Sequence, residues 1–471
     1  MEKVLLMINF EKLGASVGII KEYIEKSQVA FCDISVGAKY MWRDEYIIEY
    51  AIVNETLILK EDGPDYKDCF YYPMGSDALY ALDKIEEYCR QKLIPLQFCC
   101  VDNERAEFLK SRYHDVCVYN ERDWDDYIYD AEKFRTYSGK KYGGQRNHYN
   151  KFKKTYPNYQ FKVIKESDLE NVRDFLIEYE KTAELTDGAK DELIKVNDYL
   201  EQSFSLGQVG GVIEVDGKIV ALSIGEVVKD TLIVHVEKAL TEYSGVYPTM
   251  AHEFAKAFAT DGVKFINREE DCGDQGLRIS KTQYHPIEIK AKNSVIVKTL
   301  FDRIKGPFFL KTNRLIITDI LEEDKQDYFK LYIDEDLNRY WGYDYKEDLG
   351  NGESSPDYFI AFRQKMIDGK EEFSLAVKKE GKMIGELVLH NFGYYGDLEI
   401  GFRFFKDVQG NGYATESAEK LIEYCFNELK AKKIKSRCFK ENLPSKRLIE
   451  RLGLTQVGED DTHYYFQKTN G

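Results

Sequence analysis

Leu398-Glu399-Ile400-Gly401-Phe402-Arg403-Phe404-Phe405-Lys406-Asp407-Val408-Gln409-Gly410-Asn411-Gly412-Tyr413-Ala414 decides the fold of the last third of this chain. Leu398 to Phe404 reads as a strand. A glycine-rich turn follows, and a helix opens at about Tyr413 and runs to Leu429. The apolar residues of that helix, Ala414, Ala418, Leu421, Ile422, Cys425 and Leu429, recur at three- and four-residue steps on one face. Glycines allow positive φ and a close approach of backbone to a ligand. The free N–H groups at the helix start, aided by its dipole, favour a phosphate anion. A glycine turn alone most often marks a tight bend; the strand before it and the helix after it make it informative.

The surrounding sequence is mixed α and β. Upstream, Leu315 to Thr318 reads as a strand, and Lys325 to Ile333 and Tyr358 to Met366 as helices. Phe373 to Lys379 and Lys382 to His390 read as two strands turning at Glu380-Gly381. Downstream, Ile434 to Phe439 is a strand, Ser445 to Leu452 a helix closed by Gly453, and two short strands follow. Gly306-Pro307 marks a junction before this region. The middle region has the same grammar. Ser167 to Leu185 is helical, and Val209 to Val215 with Lys218 to Val227 is a hairpin across Asp216-Gly217. Thr231 to Lys238 is a strand, Tyr247 to Ala259 a helix and Lys264 to Asn267 a strand. Nearer the start, Ser76 to Lys92 reads as an amphipathic helix capped by Ser76, and Leu96 to Val101 as a buried strand.

Composition narrows the function. With 471 residues, 43% hydrophobic and 32% charged, the chain is globular and long enough for two to four domains. It holds no run near the roughly 18 uncharged apolar residues of a membrane helix, and no signal peptide is read at its start. Nine cysteines without a C-x-x-C pair, and seven histidines without close ligand spacing, argue for a reducing cytoplasm and against a metal. The net charge of −16 disfavours nucleic acid except at a local basic patch.

Residues 311–471 resemble the GNAT acetyltransferases, especially the group that acetylates N-termini of ribosomal proteins and related amines. TNRL (Thr312 to Leu315), EIGF (Glu399 to Phe402), QGNGYATES (Gln409 to Ser417) and ENLPSKRLIERLGL (Glu441 to Leu454) carry the likeness. It implies acetyl-CoA as co-substrate, with the backbone of Gln409, Gly410, Asn411, Gly412, Tyr413 and Ala414 on its pyrophosphate. It also implies pantetheine along the strand at Phe402 to Phe404, and Asn442 and Ser445 beside CoA. Glu399 is the candidate general base and Tyr464 a candidate proton donor to the thiolate, against surface-strand and core-aromatic roles respectively. His390, Tyr340 and Trp341 are candidate acceptor-pocket residues. The segment Asp334 to Asp344 suits a cationic amine (a peptide N-terminus, a polyamine or a small molecule) or is a solvated loop with buried rings.

Residues 1–300 resemble the C-terminal domain of phosphatidylglycerol lysyltransferase, a GNAT-like double lobe. The segments DYIY (Asp126 to Tyr129), Gly139 to Pro157, HVEKA (His235 to Ala239) and Asn267 to Pro286 carry this likeness. The membrane-spanning half of those enzymes is not in this sequence, which puts a lipid acceptor in doubt. The fold expected is therefore α/β (α+β), with three GNAT-like lobes, each a mixed, mostly antiparallel sheet flanked by helices. The borders are 1–135, 136–300, a linker at 301–312, and 313–471. Lys140 to Lys154 interleaves six cations with aromatic residues, so it is either a contact for tRNA or a solvated amphipathic helix. The charges of Asn267 to Arg278, with Arg268, Glu270 and Arg278 as candidate substrate ligands, form either a paired ion network or a polar pocket. Gly245-Val246-Tyr247 stands where a phosphate loop would be but lacks its glycines, so this lobe is not expected to bind CoA in the usual way. The function expected is N-acetyl transfer by residues 313–471. Residues 1–300 are either an aminoacyl-tRNA-dependent transferase or a non-catalytic substrate-binding module.

Overall fold

A computed structural model describes residues 8–26, 31–183, 185–341, 346 and 354–470. The chain divides into two compact units, Met1–Glu107 with Val118–Ile296, and Phe108–Cys117 with Val297–Gly471. Three mostly antiparallel sheets flanked by helices carry the fold. The first sheet runs, edge to edge, Glu11–Lys12, Ile47–Val53, Thr56–Asp62, Cys69–Tyr71, Leu96–Val101, Asn293–Lys298 and Asp115–Asn120, with Met74–Gly75 beside Thr56–Asp62. The helix beside it is Ala78–Lys92. Its cap is Asp77, whose side chain accepts from the Tyr80 amide at 3.1 Å, and not Ser76. The shorter carboxylate reach from the adjacent position wins.

The second sheet holds β1 (Asp126–Asp130), β2 (Gln160–Val163), β3 (Val209–Val215), β4 (Lys218–Val228), β5 (Thr231–Ala239), β6 (Phe265–Asn267) and β7 (Glu288–Lys290), in the order β7-β1-β6-β5-β4-β3-β2. Helix α1 is Gly143–Thr155, and α2 is Val246–Phe258. The helix read from Ser167 to Leu185 ends at Thr182, and a second helix, Asp187–Gln202, follows it unforeseen.

The third sheet holds β8 (Phe309–Lys311), β9 (Ile316–Asp319), β10 (Glu372–Lys379), β11 (Lys382–His390), β12 (Asp397–Phe404), β13 (Lys433–Phe439), β14 (Thr455–Glu459) and β15 (His463–Thr469), in the order β8-β9-β10-β11-β12-β13-β15-β14. Helices α3 (Tyr413–Asn427) and α4 (Leu443–Arg451) belong to the same unit. The apolar stripe of α3, with Ala418, Leu421, Ile422 and Cys425, closes on Leu398, Ile400 and Ile434 in one buried core.

All pairs given a register in the second and third sheets are antiparallel except two, β5 with β6 and β12 with β13. A parallel pair needs a crossover, and α2 and α3 supply it. Each parallel ladder covers three residues only: Thr231 to Ile233 on Phe265 to Asn267, and Asp397 to Glu399 on Lys433 to Lys435. Beyond them the strands part.

Candidate active site

Where β12 leaves β13, the sheet opens into a cleft of about 640 Å³. Ser436 still donates its hydroxyl to the Ile400 carbonyl at 3.0 Å. From Gly401 to Phe404, β12 has no register partner on β13. Side chains directly opposite in antiparallel strands share a face, and alternate residues return to it. The registers therefore set Glu372, His390 and Glu399 in one row across β10, β11 and β12. Val388 with Gly401 forms the next row, and Glu386 with Arg403 the third. All but Glu386 line the cleft. A Cβ on Gly401 would stand 3.2 Å from the Trp341 ring and 3.8 Å from His390 Nε2, so glycine keeps that floor open.

Glu399 accepts from Asn391 Nδ2 at 2.9 Å, and its other oxygen lies 3.4 Å from Arg437 Nε and 4.0 Å from His390 Nε2. Burial holds the His390 imidazole below its ordinary value, with Arg437 acting in the same direction and Glu399 against it. His390 is thus a neutral ring at pH 7. Glu372 is pushed up to about 7, first by burial and then by Glu386, while the Ser374 hydroxyl at 2.8 Å holds it down. Arg403 also lowers it, but less than the Ser374 hydroxyl does, because Glu386 takes that guanidinium at 2.7 Å.

At the other end lies the glycine turn. Gly410 has φ +78° and Gly412 +79°. Gln409 donates its side-chain amide to the Phe404 carbonyl at 2.9 Å, and Asn411 donates to Val408 O at 3.0 Å, so both shape the loop. Gly412 caps α3 without a side-chain bond. Among the described residues, the amides from Gly410 to Thr415 donate to nothing; the first to find a carbonyl is Glu416, on Gly412 O at 3.0 Å. A run of unspent N–H groups at the start of a 15-residue helix is an anion cradle.

Of the sequence candidates, Glu399, Phe402, Phe404, Gln409, Gly410, Gly412, Tyr413, Ala414, Asn442, Ser445, Tyr340, Trp341 and His390 line this cleft. Asn442 is also the cap of α4, accepting from the Ser445 amide at 3.2 Å. Asn411 lies on the turn outside the lining. Tyr464 is not brought to the cleft; it packs on the core with Lys446 Nζ 4.0 Å above its ring. Gly342 to Asp344 lie outside the described residues. Sequence reasoning missed Glu372, Arg403 and Arg437. Only strand pairing brings the first two beside His390 and Glu399, and the sequence does not print register.

The candidates in the first unit do not converge. Arg268 pairs with Glu237 at 2.9 Å and Arg278 with Asp271 at 2.7 Å, whereas Glu270 sits 3.1 Å from Lys292. This is the ion-network alternative. The cavity beside Arg268 is about 10 Å³, the size of one water at most. Cys32, Asp33, Asp126 and Glu270 bring ligand-type atoms within 4.8 Å of one another, a cluster that sequence spacing did not show. Lys292 stands among them, 2.8 Å from Asp126 and 3.1 Å from Glu270, and its ammonium already supplies the cation. Tyr142, the cap of α1, and Phe152 within it are buried, and Tyr149 donates to Glu253 at 2.8 Å. Tyr142 and Phe152 pack inward while Tyr149 is half-buried, a pattern that fits an amphipathic helix.

A splayed parallel pair, a glycine turn opening a helix, and a cleft joining the two define the GNAT acyltransferase class. The family model described as acetyltransferase (GNAT) domain matches residues 314–455. The model described as phosphatidylglycerol lysyltransferase, C-terminal, matches residues 28–292. Similar curated proteins include the uncharacterized N-acetyltransferase YnaD of Bacillus subtilis, 29% identical over 152 residues, covering 32% of this chain and 84% of that one. YoaA of the same organism, also an uncharacterized N-acetyltransferase, is 27% identical, covering 32% and 84%. A crystal structure of a conserved protein of unknown function from Bacteroides thetaiotaomicron is similar with TM-score 0.58 and 30% identity, covering 62% of this chain and all of that one. The chain belongs to the phosphatidylglycerol lysyltransferase C-terminal family and carries a GNAT domain, which makes it an N-acetyltransferase. Among the described residues no helix is long and apolar enough to cross a membrane.

Proposed function

We propose that residues 313–471 transfer an acetyl group from acetyl-CoA to a primary amine in the cytoplasm. The observation that carries this is the single cleft joining six unspent loop and helix amides to the row Glu372–His390–Glu399. The amides from Gly410 to Ala414 hold the pyrophosphate, and the unpaired edge of β12 at Phe402 to Phe404 takes the pantetheine amides. Asn442 and Ser445 border the same arm. Acetyl-CoA supplies the thioester. Glu399 accepts a proton from the ammonium, the neutral amine attacks the thioester carbonyl to form the C–N bond, and the C–S bond breaks to release the CoA thiolate, which takes up the proton that the amide nitrogen loses. Tyr340, Trp341 and His390 border the acceptor. Its class is a cationic amine (a peptide N-terminus, a polyamine or a small molecule), because Glu372, Glu399 and Asp336 set acidic groups around aromatic rings there.

Residues 1–300 (lobes 1–135 and 136–300, followed by a linker at 301–312) have a role that does not use CoA. The observation that favours this is the partly spent helix start in that region. At α2 the Val246 amide donates to Tyr243 O at 3.0 Å and Pro248 has no N–H. Such a role is either aminoacyl transfer from tRNA or presentation of the acceptor.

Calorimetric titration of the full chain with acetyl-CoA, followed by thiol release in the presence of a peptide, a polyamine and a small arylalkylamine, tests the reading. One saturable site and amine-dependent thiol release are expected. An absence of acetyl-CoA binding by the folded chain would remove it.

A further inference from the structure

The loop Gln409 to Ala414 contains no cation, and the first turn of α3 carries an anion, Glu416. A carboxylate one turn from the cradle repels a pyrophosphate as surely as the helix dipole attracts it. The structure turns this charge away. Glu416 Oε1 accepts from the Thr312 hydroxyl at 2.6 Å and the Arg314 amide at 2.9 Å, and Oε2 accepts from Arg314 Nε at 2.7 Å. The same guanidinium reaches into the loop. Nη1 donates to Asn411 O at 3.1 Å, and the group lies 4.6 Å over the Tyr413 ring. Nη2 lies 3.5 Å from where a Cβ on Gly412 would stand, and among the described residues it donates to nothing.

We propose that Arg314 is the cation of the cradle: it neutralises Glu416 and turns Nη2 to the pyrophosphate of CoA. This rests on the reading of the cleft as a CoA site. Isolated surface ion pairs contribute little, since two long side chains must be ordered in water. Here Nε, Nη1 and the ring beneath fix the guanidinium beforehand, so the phosphate meets an ordered donor. The competing role is a latch that ties the start of β9 to α3 for stability alone.

The test is calorimetric titration of the full chain with CoA and with 3′-dephospho-CoA. It compares the wild type, Arg314→Gln, Arg314→Lys, Glu416→Gln and the Arg314→Gln/Glu416→Gln double variant, each with its melting temperature. Arg314→Gln is expected to weaken both ligands about thirtyfold, the scale of a charge-assisted hydrogen bond plus an unmasked like charge. Glu416→Gln stays within about threefold of wild type, and the double variant recovers part of the loss because the repulsion is gone. Arg314→Lys, which keeps charge without the fork, falls between wild type and Arg314→Gln. Unchanged CoA affinity in Arg314→Gln overturns the proposal, and so does a double variant no better than the single. A loss that vanishes with 3′-dephospho-CoA overturns it too, since the 3′-phosphate would then be the partner. If Arg314→Gln fails to fold, Arg314→Lys and the double variant decide. A wild type that binds no CoA defeats the functional reading instead, a different result from wild-type binding that Arg314→Gln leaves intact.

Discussion

Helices α2 and α3 both follow a sheet strand, both start after a glycine in the left-handed region, and both lead to a strand that pairs parallel to the first. Gly245 has φ +89° and Gly412 +79°. The amides at the two starts fare differently. At α3 every N–H from Gly410 to Thr415 is unspent among the described residues. At α2 the Val246 amide is spent on Tyr243, Pro248 has none to give, and the His148 carbonyl of α1 lies 2.6 Å from the Cβ position of Gly245. One topology thus yields an open anion cradle in one place and a packed joint in the other. The histidines of the two sheets repeat the contrast. His235 is wholly buried between Glu226 at 2.9 Å and Glu269 at 2.7 Å. Burial works against its charge, yet the two hydrogen bonds outweigh it and push it to about 10, so the ring is an imidazolium. His390, with Glu399 no nearer than 4.0 Å, is held neutral by burial. The same residue pair serves as a closed ion pair in one sheet and as an open acid–base surface in the other.

The largest effect expected from breaking this contrast is at the open helix. Gly412→Asp places a carboxylate in the cradle, where it would also capture Arg314, 3.5 Å from that position. CoA affinity is expected to fall at least about 1,000-fold, or ~4 kcal/mol, as a like charge replaces a donor array. Calorimetry on the folded variant reads this directly. Unchanged affinity would make the two glycine turns equivalent.

Glu399→Gln comes next. Removing a general base costs about 100-fold in kcat or more. Affinity for acetyl-CoA should remain within about twofold, because the amides that hold the phosphates are untouched. Single-turnover thiol release with the best amine acceptor measures the first, and calorimetry the second. Full kcat across pH 6–9 would assign the base elsewhere in the row, with Glu372 the first to examine.

Much of the open site was legible because its signals are local. Glycines at 410 and 412, the stripe of α3 and the cap pair Asn442 and Ser445 lie within a few residues of what they organise. The strands β10 to β13 read nearly to their ends for the same reason. The acceptor side was less legible because register composes it: Glu372 and Arg403 reach the cleft through pairing with residues 18 and 17 positions away, His390 and Glu386. Tyr464 lies outside the cleft lining because a neighbour in sequence on a strand points to the opposite face, and His463 is the one that lines the cleft. In the first unit, Arg268, Glu270 and Arg278 share a short segment, yet their partners Glu237, Lys292 and Asp123 are scattered over it. Composition showed a dense run of charges there, either a paired network or a polar pocket, but not which residues they would meet.

Gly245→Ala tests the packed helix. The new methyl meets the His148 carbonyl at 2.6 Å, and φ +89° is strained for any side chain. A loss of about 2 kcal/mol is expected. Acetyl-CoA affinity should not change, because that joint is not a ligand site. Urea unfolding with a CoA titration separates the two. Weakened CoA binding in a folded variant would mean that α2 takes part in the cradle's work.

Glu372→Gln gives the smallest effect and the sharpest sign. Where Glu226 and Glu269 share an imidazolium, Glu372 faces Glu371, Glu386 and the ring of Tyr332, with Arg403 already committed to Glu386. Its carboxyl therefore titrates at about 7 against an ordinary 4.5. The folded chain binds that proton more tightly than the unfolded one, so the stabilisation is complete below about pH 4.5 and is lost as pH rises through 7. Glutamine stays neutral throughout. The stability of Glu372→Gln minus that of wild type should accordingly grow between pH 5 and pH 8 by about 1–2 kcal/mol, allowing for partial solvent screening. Other titrating groups, His235 among them, are common to both proteins and cancel in that difference. A flat difference would mean that Glu372 is solvated like an ordinary surface carboxylate. A difference of opposite sign would mean that Arg403 belongs to Glu372 rather than to Glu386, and the acceptor end of the cleft would then be charge-balanced instead of acidic.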